Sequence, residues 1–394
     1  MTPNDPRRAY VARPPVSIPR PDQGPPLPMG PHLAHAGPAH AMPHQRAMVD
    51  DRQPTATFDR PAPTTIKGPN FVNSLSLDGQ YVITNVLVQP NTTHKMNLGV
   101  FVVKHRVTGR VYVEKRLDKS TQAAWERVYQ EVHILKRINL EPGGDKPCLN
   151  WMNHDTFGYR GTTTTALYLE HCDQGNLGQY ITSRCHTGRM CLEQWVWATI
   201  WSISRALCWM HWGIVDLNDR PSRQAMEKWN TISHLDIKPD NIFLKLDKST
   251  ASCRQNPGGI FQIMLGDFGC AVEAKKVGDV QDEYVQAHGT RGWFPPENQH
   301  SELYDTRDLP YYGRKTDIWQ VGGVIQCMMA LKNFPRQEVT EDGHPAFDGY
   351  SDELVCEMKT LMNRDWMQRP EAVEMAEAIK MDMHILGMPF KFGP

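Results

Sequence analysis

The sequence lacks the long apolar run that a membrane-spanning helix requires. No stretch of about 18 consecutive apolar residues occurs anywhere in the chain. The first residues include Pro, Asn, Asp and Arg, and no apolar segment typical of a secretory signal follows them. From these two absences we expect a cytoplasmic or nuclear protein that is neither secreted nor associated with a membrane.

Paired cysteines and an excess of charge are also absent. The nine cysteines contain no C-x-x-C pair, which favours free thiols in a reducing compartment over a disulfide framework. Lys and Arg total 43 against 44 Asp and Glu, so the net charge is −1. Because the totals indicate no basic field, we expect no nucleic-acid partner.

Large apolar residues are scarce in residues 1–68, which contain half of the 30 prolines and several histidines. Such a segment buries too little surface to offset the entropy of ordering it, so we predict a disordered tail rich in Pro and His. The stretch Pro25-Pro26-Leu27-Pro28 matches P-x-x-P, which is typical of a ligand for SH3-type or WW-type domains. A proline-rich tail without such a partner is the alternative, and the simpler interpretation.

From about residue 69 the pattern changes to that of a folded chain. Alternating apolar residues predict strands over Tyr81–Val88, Gly99–His105 and Arg110–Lys115, and a further strand over Ala166–Leu169. Between them a helix is predicted, because apolar residues repeat at spacings of three and four, at Trp125, Val128, Val132 and Leu135. We therefore predict a small β-rich lobe over residues 69–170.

The rest of the chain, residues 171–388, is predicted to form a larger helical lobe, so the fold class is α+β. Apolar residues between Val196 and Met210 mark one face of a long helix that ends at Gly213. A polar insertion is predicted at about residues 215–231. Ile263–Leu265 is predicted to be a short strand that leads into Gly266-Asp267-Phe268-Gly269.

One short stretch places an acid, a lysine and an amide close together: Asp236, Lys238 and Asn241. A carboxylate can accept a proton from a hydroxyl, a lysine can reach a transferring phosphoryl group, and an amide can bind a metal ion. Phosphoryl transfer needs these three roles. The stretch closely resembles the catalytic loop of protein kinases, H-R-D-x-x-x-x-N, with Leu235 in place of Arg.

The partners of that loop in protein kinases have counterparts here in the right order. Lys115 resembles the strand lysine that binds the α- and β-phosphates of ATP, and Glu131 the helical glutamate that pairs with it. Asp267 in Gly-Asp-Phe-Gly resembles the metal-binding aspartate, so the resemblance implies that Asp267 and Asn241 bind Mg²⁺. Taken singly, each would be an ordinary surface charge or turn residue.

The resemblance covers roughly residues 75–385 and implies the bilobal protein-kinase fold. Within Gly289–Glu297, Thr290 is similar to the residue whose hydroxyl meets the catalytic Asp and Lys. By the same resemblance Glu297 pairs with Arg369, and Asp317 supports the catalytic loop from below.

An ATP-binding site is also implied by the resemblance. Leu169 occupies the gatekeeper position, and the backbone of Glu170 and Cys172 is expected to bond the adenine edge. A packed role for Cys172 is favoured over a reactive thiol. The remaining predicted contacts are the roof, the floor and the phosphate-covering loop of the pocket, namely Val113, Phe243, Gly99 and Val100.

Two features depart from the family pattern. The glycine-rich phosphate loop keeps only Gly99, which predicts weaker nucleotide binding or a shifted loop. Leu235 cannot receive a phosphate as Arg does, and the segment 270–288 contains no Ser or Thr, only Tyr284. We therefore predict a kinase of the type without Arg before the catalytic Asp, whose activity does not depend on Ser/Thr phosphorylation of this segment.

The sequence motif Asp-Ile-Lys-Pro-x-Asn around Lys238 is typical of serine/threonine kinases, so protein Ser/Thr hydroxyls are the expected substrates. The hinge sequence from Cys172 to Leu177 is loosely similar to that of the NIMA-related branch. Two alternatives stay open: a pseudokinase that acts as a scaffold, and a small-molecule kinase of similar fold. The segment that ends at Glu297 disfavours the second.

Overall fold

Alternating apolar side chains produce a five-stranded sheet in the first part of the described chain. The strands are β1 (Tyr81–Val88), β2 (Asn97–His105), β3 (Val111–Asp118), β4 (Trp151–Tyr159) and β5 (Thr162–Glu170). Their order is β1-β2-β3-β5-β4, and every neighbouring pair is antiparallel. The computed structural model describes residues 71–90, 97–140, 147–159, 162–246, 261–274, 289–298, 313–336 and 347–388.

Sequence patterns predicted four of these strands, and the structure extends three of them by a few residues. Strand β4 was not predicted, because its sequence WMNHDTFGY has little apolar alternation. It lies at the edge of the sheet, where several of its side chains are exposed or only half-buried. An edge strand therefore carries a weaker apolar signal than a central one.

Helix α1 (Gln122–Leu140) packs against the sheet through its apolar face. Val128, Val132 and Leu135 are buried there, as predicted. The prediction was wrong for Trp125, which is 40% exposed. Its indole ring lies at the border of the apolar face and stacks on Tyr129, with a centroid distance of 5.3 Å, on the solvent side of the helix.

The second part of the described chain is mainly helical. Its helices are α2 (Leu177–His186), α3 (Glu193–Trp212), α4 (Arg223–Glu227), α5 (Arg314–Ala330), α6 (Asp352–Leu361) and α7 (Ala372–Ile385). Helix α3 ends at Gly213, which has a φ of 70° and caps the helix as the sequence predicted. Large side chains such as Trp197, Trp209 and Trp319 are buried in its core.

The predicted polar insertion at 215–231 is not a solvated loop throughout. It contains the short helix α4, and Leu217, Met226 and Trp229 pack against the helical core. The Trp229 indole N–H donates to the carbonyl of Met210 at 3.0 Å. A Cβ at position 213 would lie 2.6 Å from the Trp229 ring, so glycine also makes room for this contact.

Two short two-stranded sheets bring the motifs of the second part together. Strand β6 (Thr231–Ser233) pairs with β9 (Val272–Ala274), and β7 (Ile242–Leu246) pairs with β8 (Phe261–Leu265). The loop between β6 and β7 thus lies beside the loop between β8 and β9. A small β-rich part followed by a larger helical part confirms the predicted bilobal α+β fold.

Several predictions concern residues that the structure does not describe, and one further prediction is not tested by it. The proposed tail over 1–68, residues 91–96 of the phosphate-covering loop, and residues 275–288 with Tyr284 lie outside the described residues. The lobe boundaries also stay predictions. In the described ranges no helix combines the length and apolarity needed to cross a membrane, and none of the cysteines there forms a disulfide.

Candidate active site

The loop after β6 is supported from below by helix α5. Asp317 accepts hydrogen bonds from the backbone N–H groups of His234 and Leu235, each at 2.8 Å. Gln320, one turn further along α5, accepts from the Ile237 N–H at 2.8 Å and donates to the Leu235 carbonyl at 3.1 Å. These four bonds fix the backbone of the loop on both sides of Asp236.

Leu235 needs this support because its φ of 63° lies in the left-handed region. A branched side chain is disfavoured there by about 1–2 kcal/mol, and such strain persists only where the surroundings impose it. The side chain is buried, with 1% of its surface exposed. Leu235 thus packs into the protein, where an arginine would present a charge.

His234 connects the loop to the turn that follows β8. Its Nδ1 accepts from the Asp236 N–H at 3.3 Å, so its Nε2 carries the proton that is donated to the Gly266 carbonyl at 3.1 Å. The imidazole also packs against Phe268, with a centroid distance of 5.1 Å. His234 therefore sets the distance between the loop that carries Asp236 and the turn that carries Asp267.

The Asp236 carboxylate is held through one oxygen only. Its Oδ2 accepts from Lys238 Nζ at 2.8 Å and from Asn241 Nδ2 at 3.0 Å. Its Oδ1 is buried, and no group in the described ranges donates a hydrogen bond to it. Lys238 Nζ also donates to the Thr290 hydroxyl. The arrangement leaves one fixed carboxylate oxygen able to accept a proton or a hydrogen bond.

Asn241 is oriented by the same carboxylate. Its amide nitrogen donates to the Asp236 carbonyl at 2.8 Å as well as to Oδ2. An amide whose nitrogen is used in this way can coordinate a cation only through its oxygen. The structure therefore places Asn241 as a residue suited to bind a hard cation.

Lys115, Glu131 and Asp267 form a second charged group. Lys115 Nζ lies 2.8 Å from Glu131 Oε1 and 2.7 Å from Asp267 Oδ1. The Asp267 side chain is 43% exposed, whereas that of Glu131 is 6% exposed. Asp267 is thus the carboxylate that a ligand or cation can reach, and Glu131 is the one that fixes the lysine.

Electrostatics differ between the members of this group. The Lys115 ammonium lowers the pKa of Asp267 to about 2, although burial opposes this shift. Burial raises the pKa of Glu131, against the attraction of Lys115. Burial also lowers the pKa of Lys115, but the Asp267 and Glu131 carboxylates outweigh it and raise that pKa. Lys115 and Asp267 are therefore charged near neutral pH.

The backbone around Asp267 aims its carboxylate at Lys115. Asp267 has a φ of 61°, and the Phe268 side chain that follows is buried. A Cβ at Gly269 would lie 3.4 Å from both Asp267 Oδ1 and Glu131 Oε2. The turn thus packs closely against both acids of the group.

The predicted adenine contacts line the junction of sheet and helical part. Val113 on β3 pairs with Leu169 on β5. Phe243 on β7 is half-buried and packs on the core below. Cys172 is buried, and burial raises the pKa of its thiol to about 12, which supports the packed interpretation over a reactive one. The Glu170 side chain accepts from Asn150 and Lys245, which fixes the end of β5.

Gly99 and Val100 lie near the start of β2. Gly99 has a φ of 115°, and a Cβ there would lie 2.5 Å from the Phe101 ring. The position therefore requires glycine for its own backbone and packing. Val100 pairs with Lys115 across the sheet, so it lies next to the lysine of the charged group.

The predicted partners Glu297 and Arg369 form a bidentate ion pair. Arg369 Nη1 and Nη2 donate to Glu297 Oε1 and Oε2, both at 2.7 Å. The Arg369 side chain is completely buried. The pair joins the segment that ends at Glu297 to the turn before α7.

Sequence reasoning missed two supporting residues, Gln320 and His211. His211 Nε2 lies 2.9 Å from Asp317 Oδ2, and both side chains are fully buried. A polar residue one turn after Asp317, in the otherwise apolar run Ile318-Trp319-Gln320-Val321, was a signal that could have found Gln320. His211 lies at the end of α3 and had no local signal.

Comparison with known families agrees with this geometry. The family model described as "Protein kinase domain" matches residues 98–378, well over half of the chain. The matched range includes every residue of the two charged groups described above.

Several curated proteins are similar to this chain. The "Probable serine/threonine-protein kinase nek2" of Dictyostelium discoideum is 26% identical over 69% of this chain and 57% of its own length. The "G2-specific protein kinase nim-1" of Neurospora crassa is 24% identical, over 68% and 30%. Human "Serine/threonine-protein kinase Nek2" is 24% identical, over 70% and 55%. The chain thus spans little more than half the length of these relatives at most.

Proposed function

Because the chain belongs to the protein kinase family, we propose that it is an active protein serine/threonine kinase. In this proposal it transfers the γ-phosphoryl group of Mg-ATP to Ser or Thr hydroxyls of protein substrates. The names of its relatives, which include serine/threonine kinases, support the residue class of the substrate. The sequence motif around Lys238 supports the same residue class.

The observation that carries the proposal is the state of the Asp236 carboxylate. One oxygen is fixed by Lys238 and Asn241, and the other is buried without a donor among the described residues. A buried acceptor without a hydrogen-bond donor lowers the stability of the fold, and a catalytic role is one reason for a native protein to keep it. A substrate hydroxyl that donates to Oδ1 would satisfy it.

Each charged residue of the site then has a defined role in the reaction. Asp236 Oδ1 orients the substrate hydroxyl and takes its proton as the hydroxyl oxygen bonds to the γ-phosphorus. The bond from that phosphorus to the bridging oxygen breaks, so ADP leaves and the phosphoryl group stays on the substrate. Lys238, 2.8 Å from Asp236, places positive charge beside the transferring group.

The residues also fit the nucleotide and metal that the family uses. Asp267 is charged and partly exposed, and Asn241 can offer only its amide oxygen, so these two would bind Mg²⁺. Bound Mg²⁺ supplies charge neutralisation to the phosphates. Lys115 would bind the α- and β-phosphates while Glu131 continues to hold its ammonium.

The proposal is tested by ATP turnover with Mg²⁺ and a generic Ser/Thr protein substrate. We expect activity in the wild type and a loss of at least about 100-fold in Asp236→Asn and in Lys115→Met, since general-base catalysis alone contributes about 10²–10⁴-fold. Exposed Glu126 on α1 offers a matched control, and Glu126→Gln should keep full activity.

A pseudokinase is the rival outcome of the same experiment. An inactive wild type whose melting temperature still rises with Mg-ATP would contradict the proposal and favour a nucleotide-binding scaffold. Activity that survives Asp236→Asn would contradict the assigned role of Asp236. Phosphate transfer to small alcohols but not to protein would instead favour a small-molecule kinase.

A further inference from the structure

Glu273 on β9 joins this strand to helix α1 with both carboxylate oxygens. Its Oε1 accepts from Arg137 Nη1 at 2.7 Å, and its Oε2 lies 2.9 Å from His133 Nε2. The side chains of Glu273 and Arg137 are only 17% and 18% exposed. A charge-assisted pair shielded to this degree is stronger than an exposed surface pair, which is worth about 0–1 kcal/mol.

Two further contacts complete the connection. Gln130 Nε2 on α1 donates to the carbonyl of Ala271 at 2.8 Å. The Arg137 guanidinium lies over the Trp229 ring, 4.3 Å from its centroid, so it is placed between the Glu273 carboxylate and an indole. We call Gln130, His133, Arg137 and Glu273 the α1–β9 clamp.

The clamp acts on the helix that carries Glu131. Its three α1 members recur at spacings of three and four, so they share one face of the helix. Glu131 follows Gln130 directly and lies on the adjacent face, where it binds Lys115 at 2.8 Å. A rotation or shift of α1 that broke the clamp would therefore also move Glu131 away from the lysine.

This chain lacks the contact by which, in regulated kinases, a phosphate on this segment binds an arginine of the catalytic loop. Leu235 is buried where regulated kinases have an arginine that receives a phosphate, and the segment 270–288 contains no Ser or Thr. Glu273 belongs to the same segment and carries a carboxylate in its unmodified state. It offers α1 a permanent negative partner.

We propose that Glu273 is a positioning residue that fixes α1 through His133 and Arg137 and so keeps Glu131 on Lys115 without phosphorylation of the segment. The inference rests on the proposed kinase function for its effect on rate, but not for its effect on the helix. Trp229 supports the clamp by stacking on Arg137, which gives the 215–231 segment a role in the site.

The test compares Glu273→Gln, which keeps the shape and removes the charge, with Glu126→Gln, which removes an exposed charge from α1. We expect phosphatase-treated Glu273→Gln to lose about tenfold in kcat, within the 5–150-fold range of typical coupling between sites, with little change in KM for the protein substrate. Amide hydrogen exchange of α1 should become faster while that of α3 stays unchanged. The control should match the wild type in every readout.

A double-variant cycle separates the clamp from general loss of stability. Because Glu273 and Arg137 act as one unit, Glu273→Gln combined with Arg137→Gln should lose no more activity than the worse single variant. Additive losses would overturn the proposal. So would wild-type rates of α1 exchange in Glu273→Gln, or loss of wild-type activity on phosphatase treatment through a site in 270–288.

Failure of the clamp and failure of the kinase proposal give different results. An inactive wild type would contradict the proposed function. The exchange measurement would still decide the clamp in that case, because it reads the helix and not the reaction.

Discussion

Replacement of Glu357 by Gln should make the protein more stable above neutral pH. Glu357 is a buried acid on α6, and its Oε1 accepts no hydrogen bond from any described residue. Burial, with a smaller effect of Asp382 on α7, raises its pKa from 4.5 to about 8. In the folded protein this carboxyl is therefore largely protonated at pH 7, whereas in the unfolded chain it is ionised.

The sign and size of the effect follow from that difference. Stability from the neutral carboxyl is fully present below pH 4.5 and is lost as the pH rises through about 8. Each pH unit between these values costs about 1.4 kcal/mol, so at pH 7 the wild type has lost about 3 kcal/mol. A neutral amide does not have this dependence.

The assay is thermal and urea unfolding of wild type and Glu357→Gln at pH 5, 6, 7 and 8, with Glu126→Gln as an exposed control. The variant should approach the wild type at pH 5. At pH 8 the wild type has lost about 4.5 kcal/mol, so the melting temperature of the variant should be higher by about 9 °C, taking roughly 2 °C per kcal/mol for a protein of this size. The control should keep the wild-type pH dependence.

Two results would refute the reasoning. An equal pH dependence in wild type and Glu357→Gln would mean that Glu357 is ionised in the fold. A variant destabilised by the same amount at every pH would mean that the carboxyl makes contacts that an amide cannot replace.

Three further predictions concern single side chains. Glu297→Ala leaves the buried Arg369 guanidinium without its bidentate partner, so the free energy of unfolding in urea should fall by about 3–5 kcal/mol; a change below 1 kcal/mol would contradict this, on the scale of exposed pairs. Gly213→Ala, at a φ of 70° and with its Cβ 2.6 Å from the Trp229 ring, should lower the melting temperature. The same substitution should lower it less in a Trp229→Ala protein than in the wild type, because the ring is no longer there to clash. Cys172, whose pKa burial raises to about 12, should react with iodoacetamide at pH 7.5 far more slowly in the folded protein than in urea, as followed by mass spectrometry; equal rates would show a solvent-exposed thiol.

The sequence was informative wherever a structure depends on neighbouring residues. Period-two alternation predicted strands β1, β2 and β3, and a Gly at position 213 predicted the end of α3. The order of Lys115, Glu131 and Asp267 along the chain predicted three residues that the fold brings together. These signals are local, or are short motifs, and need no knowledge of packing.

Sequence patterns were less informative where burial depends on distant parts of the chain. Trp125 has the spacing of an apolar face, yet it is 40% exposed and stacks on Tyr129. The 215–231 segment has a polar composition, yet its Trp229 lies against Trp209 and Met210. The composition of a segment gives its average polarity, whereas tertiary packing decides the burial of each side chain separately.

The sequence by itself determined the class of fold, the family resemblance and the identity of the charged residues, because these depend on local periodicity and on motifs a few residues long. Only the tertiary structure decided how those residues are held. Gln320 reaches Ile237 across 83 positions, and Glu273 reaches Arg137 across 136. Such contacts form when helices and strands pack, and no local pattern specifies which polar side chain will meet which.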